Sequence, residues 1–416
     1  MPSGRVIVGL DVGTTKICAL IGEVDEDNRL SVVGTGVAPA LGLRKGVVVD
    51  IDEAASSIRT AIDKTERVSG YKIAAAIVGI AGGHITSNNS HGAVAISPQL
   101  HEVSQADIDR AIEAARAVAL PHNREVLHVI PREYIVDGED GIKDPLGMSG
   151  YRLEVVTHIV TGAMASIHNL EKCVQRAGVE IEDMVLEPMA SSEAVLSAAE
   201  RDLGVAIVDI GGGTTDVAIY VNGSIYHTGV IPLGGNHLTN DIAIGLRAAF
   251  PIAEEMKLAY GSALASKIKE DEMVQMVTFE NAAGDKVARR FLCEILESRA
   301  REIISLVAEE IKKSGYPGVL PAGVVLTGGS SLLADLGELA RNMLQMPVRL
   351  GHPEHIHGLT DEISGPAYAT SVGLLLWGLK NYDMVHAEPR RMPNGRGPGV
   401  LSRLFSLFRV FLPSSQ

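Results

Sequence analysis

The chain reads as an α/β protein in which two similar domains flank a shared cleft, and three stretches carry that expectation. Two of them are copies of one pattern: residues 6–16 read VIVGLDVGTTK and residues 205–216 read VAIVDIGGGTTD. Each is a β-branched apolar strand ending in an aspartate, Asp11 or Asp209. Glycine follows (Gly13 in one copy; Gly211, Gly212 and Gly213 in the other), then two threonines, Thr14 and Thr15 or Thr214 and Thr215. Without a Cβ, such glycines let backbone N–H groups approach an anionic oxygen. The aspartates stand where carboxylates reach a phosphate-bound Mg²⁺, mostly through water, because that ion keeps much of its hydration shell. Taken singly, either stretch also reads as a tight hairpin with glycines for the turn alone; the repetition favours a two-sided grip. The third stretch, residues 324–333 (VVLTGGSSLL), is a buried strand running into Gly328, Gly329 and Ser330.

A chain of 416 residues has room for two to four domains. Hydrophobic content of 46% against 21% charged is that of a soluble globular protein. The net charge is −14, and the five arginines and one acid from His386 onward leave −18 on the body, which argues against a nucleic-acid partner. Cys18, Cys173 and Cys293 are scattered, which suits a reducing cytoplasm and neither a disulfide framework nor a zinc site. No signal peptide is expected from a chain that opens directly into a strand. The longest apolar windows, residues 73–81 and 372–379, are broken by glycine and read as a buried strand and a core helix rather than membrane spans.

In order, strands are expected at residues 6–12, 30–36 and 46–50, a helix at 52–68 with Ala55, Ile58, Ala61 and Ile62 at helical spacing, and a buried strand at 73–80. Residues 84–161 form a small α+β insertion. It has strands near 92–96, 125–130, 132–136 and 152–160, and a helix from Ser104 whose third residue, Asp107, completes a capping box. A helix over 165–177, a strand into Leu186 and a helix over 189–200 follow, the last presenting Ala190, Ala194 and Ala198 for close crossing against residues 365–376. Residues 236–314 read as helical, closing with a helix at 291–313 that carries Glu294, Glu297, Arg301 and Glu302.

The paired loops resemble those of the actin, Hsp70 and sugar-kinase superfamily. That resemblance implies two actin-like (ribonuclease H-like) domains holding ATP and Mg²⁺. It implies phosphate contacts from Asp11, Gly13, Thr14, Thr15, Lys16, Asp209, Gly211, Gly212, Gly213, Thr214 and Thr215, metal contacts, largely through water, from Asp11 and Asp209, and adenosine contacts from Gly328, Gly329 and Ser330. Glu187 is similar to the superfamily's acid that orients water or metal if ATP is hydrolysed; it equally reads as a helix-start acid favoured by the dipole. Residues 189–200 and 365–376 would be the hinge helices, and the helix at 291–313 would cover the adenine.

The superfamily's usual insertion between the third strand and the first helix has no room at residues 45–50, and the α+β material comes later instead. With residues 142–162, IKDPLGMSGYRLEVVTHIVTG, this narrows the resemblance to the FtsA family of bacterial cell-division proteins, with PilM-like pilus-assembly proteins the nearest alternative. The resemblance covers residues 5–413. It implies a first domain over 1–83, 162–200 and 361–385 with its insertion at 84–161, and a second domain over 201–235 and 315–360 with a helical upper subdomain at 236–314.

His352, His355 and His357 lie in a proline-containing loop without further ligands at metal spacing and read as solvated. Residues 386–399, rich in Pro, Gly and Arg, form a flexible linker. Residues 400–416 are a membrane-targeting amphipathic helix and tail. At ~100° per residue, Val400, Leu401, Leu404, Phe405, Leu407, Phe408, Phe411 and Leu412 share one face; Ser402, Arg403, Ser406 and Arg409 share the other, and Val410 strays among them. That pattern lies in a membrane interface rather than spanning it; the alternative is a helix docked on its own body.

The resemblance implies a non-enzymatic, ATP-binding assembly protein, with at most slow hydrolysis, on the cytoplasmic face of the membrane at the division septum. Its partners would be the C-terminal peptide of the tubulin-like FtsZ, other division proteins, inner-membrane lipid and further copies of itself in filaments. A sugar or acetate kinase on the same fold is the competing class, but no catalytic base presents itself outside the phosphate loops. A chaperone would need a peptide-binding domain for which no length remains.

Overall fold

A computed structural model describes residues 5–97, 101–117, 121–279, 281, 284–316, 318–354, 356–359 and 361–385. The first domain opens with the hairpin β1 (Arg5–Val12) and β2 (Lys16–Val24), whose turn is the first glycine–threonine loop. From Ile7 to Val12 every residue of β1 is buried, as in a strand covered on both faces. Strand β3 (Leu30–Pro39) alternates buried and half-buried residues beside β2. Where a strand was expected at 46–50, the chain makes only a tight hairpin, β4 (Leu43–Arg44) with β5 (Val47–Val48). Helix α1 (Ile51–Ser69) follows, capped by the Asp50 carboxylate at its start and by left-handed Gly70 at its end. Its apolar stripe, with Ala54, Ile58, Ala61 and Ile62 buried, packs on the sheet, and β6 (Ala75–Ile80) joins β1 in parallel.

The insertion leaves after β6. Strand β7 (Thr86–Ala95), helix α2 (Gln105–Arg116), and strands β8 (Arg124–Val136), β9 (Glu139–Ile142) and β10 (Arg152–Ala163) form a four-stranded sheet in the order β7-β10-β8-β9 with α2 on one face. The Ser104–Asp107 capping box is present. Gly92 admits α2 closely: a Cβ there would lie 2.0 Å from Ala111 O. The strands expected at 125–130 and 132–136 are one strand. Its pairing with β10 slips at Arg132, Thr157 facing Pro131 and Val156 facing Glu133, because proline brings no N–H to the ladder.

Helix α3 (Met164–Arg176) and strand β11 (Glu180–Leu186) complete the first sheet, in the order β11-β6-β1-β2-β3, and α4 (Glu187–Val195) crosses to the second domain. The single helix expected over 189–200 is two. Leu196 is extended (φ −106°, ψ 129°), and Ser197 caps a new helix, α5 (Ala198–Leu203), in a box with Glu200. Ala190 and Ala194 face the crossing as expected; Ala198 does not belong to that helix.

The second domain repeats the first. Strands β12 (Val205–Ile210), β13 (Thr215–Val221) and β14 (Ser224–Ile231) form an antiparallel meander. Helices α6 (Gly235–Gly245) and α7 (Phe250–Tyr260), the hairpin β15 (Met273–Met276) with β16 (Asp285–Ala288), and helix α8 (Arg289–Lys313) follow. The hairpin corrects the reading of 236–314 as wholly helical. Strand β17 (Val324–Thr327), helix α9 (Leu336–Leu344) and strand β18 (Val348–Leu350) give the sheet order β14-β13-β12-β17-β18, matching the first domain strand for strand. The short β19 (His357–Gly358) then pairs with β3 at the edge of the first sheet. Helix α10 (Ala369–Val385) returns across the hinge, buried between β1 and α4. The residues expected to form the linker and tail, 386–416, lie outside the described residues.

Candidate nucleotide site

The two glycine–threonine loops meet face to face. A Cβ on Gly212 would stand 1.8 Å from Thr15 Oγ1, and one on Gly213 would stand 2.6 Å from Thr14 Oγ1. Substitution at either position would therefore fill the space between the loops. The turn before α6 supports the second loop: Gly235 N donates to Gly211 O at 2.9 Å and Asn236 N to Gly212 O at 2.8 Å. The third glycine turn closes on the same point, with Ser330 Oγ donating to Gly211 O at 2.9 Å.

These loops wall a cleft of about 530 Å³. Asp11, Gly13, Thr14, Thr15, Lys16, Glu187, Asp209, Gly211, Gly212, Gly213, Thr214, Gly328, Gly329 and Ser330 all face it. Thr215, expected among them, does not: it is fully buried and donates to Leu233 O at 2.9 Å, fixing the turn before α6.

Four carboxylates converge at the inner end. Asp11 Oδ2 accepts from Ser371 Oγ at 2.8 Å, and Asp209 Oδ2 from Ser191 Oγ at 2.6 Å and Thr370 Oγ1 at 3.1 Å. Both hinge helices thus hold the strand-end aspartates, a role for hydroxyls that no motif announced. Burial raises the pKa of Asp11 and Asp209, and Asp209 also feels the charge of Asp11. Burial, then the charges of Asp11, Asp216 and Asp209, hold Glu187 well above the usual carboxylate range. Asp216, which the sequence reading passed over, is pushed up to about 8 by burial and by Asp209. Its Oδ2 accepts from Thr214 Oγ1 at 2.9 Å, while its buried Oδ1 has no protein partner. Among the described residues no three His, Cys, Asp or Glu side chains are placed to ligate one ion directly; mutually repelling carboxylates with an unmet oxygen, beside a glycine cradle, instead suit a hydrated divalent cation reached through its water shell.

Lys16 lines the same end. Its Nζ donates to Ala367 O and lies 3.4 Å from the centre of the Tyr368 ring, so the first loop's cation rests on the second hinge. Burial lowers its pKa, opposed by the charge of Asp11.

The outer wall is the part sequence reasoning missed. Gly235, Asn236 and Leu238 of α6 and Glu254, Lys257 and Leu258 of α7 form it, with Arg289 at the start of α8. Lys257 pairs with Glu254 at 2.7 Å and donates to Thr239 Oγ1 at 2.9 Å. Glu294, Glu297, Arg301 and Glu302 of α8 do not line the cleft: Glu297 accepts from Ala265 N at 2.8 Å and pairs with Arg301 four residues on. The i,i+3 pair on the proline-opened helix α7 was the available signal.

His352 sits 3.3 Å from Ser364 O, His357 lies in β19, and His355 is outside the described residues. Among the described residues no helix is long and apolar enough to cross a membrane.

Two duplicated α/β domains, each giving a glycine–threonine loop and an aspartate to one cleft, define the actin-like class of nucleotide-fold proteins. In fold the chain is similar to the PilM-PilN type IV pilus biogenesis complex (TM-score 0.63, 17% identity, 90% of this chain and 98% of that one). It is also similar to MreB5 of Spiroplasma citri bound to AMPPNP (TM-score 0.55, 15% identity, 92% and 98%). Residues 206–373 match the family described as Cell division protein FtsA, and residues 82–161 the SHS2 domain inserted in FTSA. Over 378 residues the chain is 48% identical to the Cell division protein FtsA of Pseudomonas aeruginosa, covering 91% of this chain and 90% of that one. Over 412 residues it is 36% identical to that of Escherichia coli K12, covering 97% and 98%. The chain belongs to the FtsA family of cell-division proteins.

Proposed function

We propose that this cell-division protein binds Mg·ATP between its two domains, assembles into filaments, and tethers the FtsZ ring to the cytoplasmic face of the membrane at the septum. The observation that carries the reading is that the two glycine–threonine loops meet, too close to admit a side chain between them, along one wall of a cleft of about 530 Å³ that both of them line. When Mg·ATP is bound, its Mg²⁺ would offset the negative charge of the inner carboxylates and of the phosphates. Thr14, Thr15 and the backbone of Gly211, Gly212 and Gly213 hold phosphate oxygens, Asp11 and Asp209 orient the metal's water shell, and Gly328, Gly329 and Ser330 lie along the nucleoside. Burial, and then the charges of Asp11, Asp216 and Asp209, hold the pKa of Glu187 well above the usual carboxylate range, which disfavours its ionised, base form and suits slow hydrolysis at most.

A ligand clamped by both domains makes their relative position depend on it, which suits an assembly switch. The tail, residues 400–412, supplies the membrane contact through Leu401, Leu404, Phe405, Phe408, Phe411, Leu412, Arg403 and Arg409. The upper subdomain, facing away from the membrane, takes the C-terminal peptide of FtsZ. Membership of a cell-division family favours this reading over a metabolic kinase.

Purified full-length protein is titrated with a fluorescent ATP analogue and Mg²⁺, then imaged with ATP on anionic lipid monolayers. Binding lost in Gly212→Val, with filaments formed by the unmodified chain, is the expected result. Retained affinity in Gly212→Val overturns the site, and bare monomers with ATP bound overturn the assembly.

A further inference from the structure

The tip of the β4–β5 hairpin touches the second domain's glycine–threonine loop. The Lys45 Cα lies 3.0 Å from where a Cβ on Gly213 would stand. The next residue, Gly46, faces the cleft and donates its N–H to Thr14 Oγ1 at 2.9 Å. The hairpin is therefore wedged between the two loops.

Lys45 holds a left-handed backbone, φ 51°, which costs a lysine energy that a glycine would not lose. Its ammonium makes no hydrogen bond or ion pair among the described residues, and the side chain is exposed, one residue before Gly46, which lines the cleft. The two lysines that line the cleft are engaged, Lys16 with Ala367 O and Tyr368, Lys257 with Glu254 and Thr239. From its Cα the Lys45 ammonium reaches roughly 6 Å, enough to cover the space over Gly213 and Thr14. The charge is felt across the cleft: after burial, it is the main influence lowering the pKa of His237 on α6. The wedge thus holds an unpaired cation, at a backbone cost, where the phosphate chain would end.

We propose that Lys45 is the cation for the terminal phosphate of a nucleoside triphosphate, delivered by the first domain's hairpin onto the second domain's glycine loop. This rests on the nucleotide reading of the cleft and adds a sensor for the number of phosphates. A cation that reaches only the outermost phosphate discriminates between tri- and diphosphate. Lys45 positions the ligand and takes no part in bond breaking.

The full-length protein is titrated calorimetrically with Mg·ATP and Mg·ADP, comparing the unmodified chain with Lys45→Gly, Lys45→Asn and Lys45→Arg. Glycine and asparagine both accept the left-handed backbone, so either keeps the hairpin. Losing one charge-assisted phosphate contact should weaken ATP about tenfold, with ADP unchanged within about twofold, and arginine should restore most of the ATP affinity. Equal losses for ATP and ADP, or none for either, overturn the Lys45 proposal while leaving the cleft reading intact. Failure of the unmodified chain to bind either nucleotide overturns both.

Discussion

Gly373 of α10 presses so closely on Ala190 of α4 that a Cβ on it would stand 1.8 Å from the Ala190 carbonyl oxygen. The two hinge helices therefore cross backbone to backbone. Ser191, next to Ala190, reaches Asp209, and Thr370 and Ser371, on the same turn as Gly373, reach Asp209 and Asp11. Gly373→Ala should part the helices and cost about 1–3 kcal/mol of overpacking. Chemical denaturation measures that cost. ATP affinity should fall with it, because the hydroxyls that orient both aspartates move. A variant as stable as the unmodified protein would show that the hinge yields elsewhere.

The buried carboxylates make the ligand-free protein sensitive to pH in a defined direction. Asp216 has a folded pKa near 8 against an ordinary value of 3.8, so the folded state holds its proton more tightly than the unfolded chain does. Its contribution to stability is greatest below about pH 4 and is lost as pH rises towards about 8. Thermal melts without nucleotide should fall between pH 5 and pH 8, and Asp216→Asn should flatten that slope. The same substitution should weaken Mg²⁺-dependent ATP binding, since the asparagine cannot release a proton to become an anion when the cation arrives, as the carboxyl with its unmet Oδ1 can. An unchanged pH slope in Asp216→Asn would place the titration on other groups.

The insertion is latched to the second domain by a buried polar seam. His158 bonds Asn89 at 2.8 Å and Thr228 Oγ1 at 2.9 Å, and Ser87 Oγ donates to Thr228 O at 2.8 Å. Burial, foremost, holds the His158 pKa down at about 3, so the ring is neutral across the physiological range. His158→Ala should cost about 1–3 kcal/mol through the partners it strands. Hydrogen exchange at the amides of β14 should rise, and filament assembly should weaken if the insertion belongs to the filament contact.

Arginines on the upper subdomain are unequal probes of the FtsZ peptide. Arg290 makes exposed pairs with Glu270 and Glu294, so Arg290→Glu should leave stability within about 0.5 kcal/mol and weaken the peptide several-fold. Arg299 instead grips Asp241 through two nitrogens at 2.6 and 3.0 Å, and Arg299→Glu should destabilise the subdomain itself. Anisotropy with a labelled peptide, alongside melts of each variant, separates the two effects. Undiminished binding by Arg290→Glu would move the peptide off this end of α8.

The tail should act weakly in one copy and strongly in many. Part-burial of its eight apolar side chains supplies on the order of 8–12 kcal/mol, Arg403 and Arg409 add about 1 kcal/mol each on anionic lipid, and ordering some thirteen residues costs a comparable total. A filament multiplies the attachment through effective concentration. Phe405→Glu with Phe408→Glu should abolish co-sedimentation with anionic liposomes while ATP binding persists. Continued sedimentation of that double variant would show that another surface anchors the chain.

By itself the sequence determined what is written in contiguous residues. The repeated strand–aspartate–glycine–threonine pattern located both glycine–threonine loops, because the turn needs those glycines within a few residues of the strand end. The Ser104–Asp107 box and the apolar stripe of α1 set two helices in the same local way. The tertiary structure decided whatever depends on residues distant in the chain. Ser371 meets Asp11 across 360 positions, and Lys16 meets Ala367 across 351. Glu254 and Lys257, rather than the charged face of α8, wall the outer cleft because the β15–β16 hairpin and Ala265 draw α8 away. Leu196 breaks the hinge helix where the chain must turn into the second sheet. No periodicity announces such contacts: each partner is an ordinary serine, carbonyl or carboxylate until packing of the two domains removes water and leaves it one neighbour to bond.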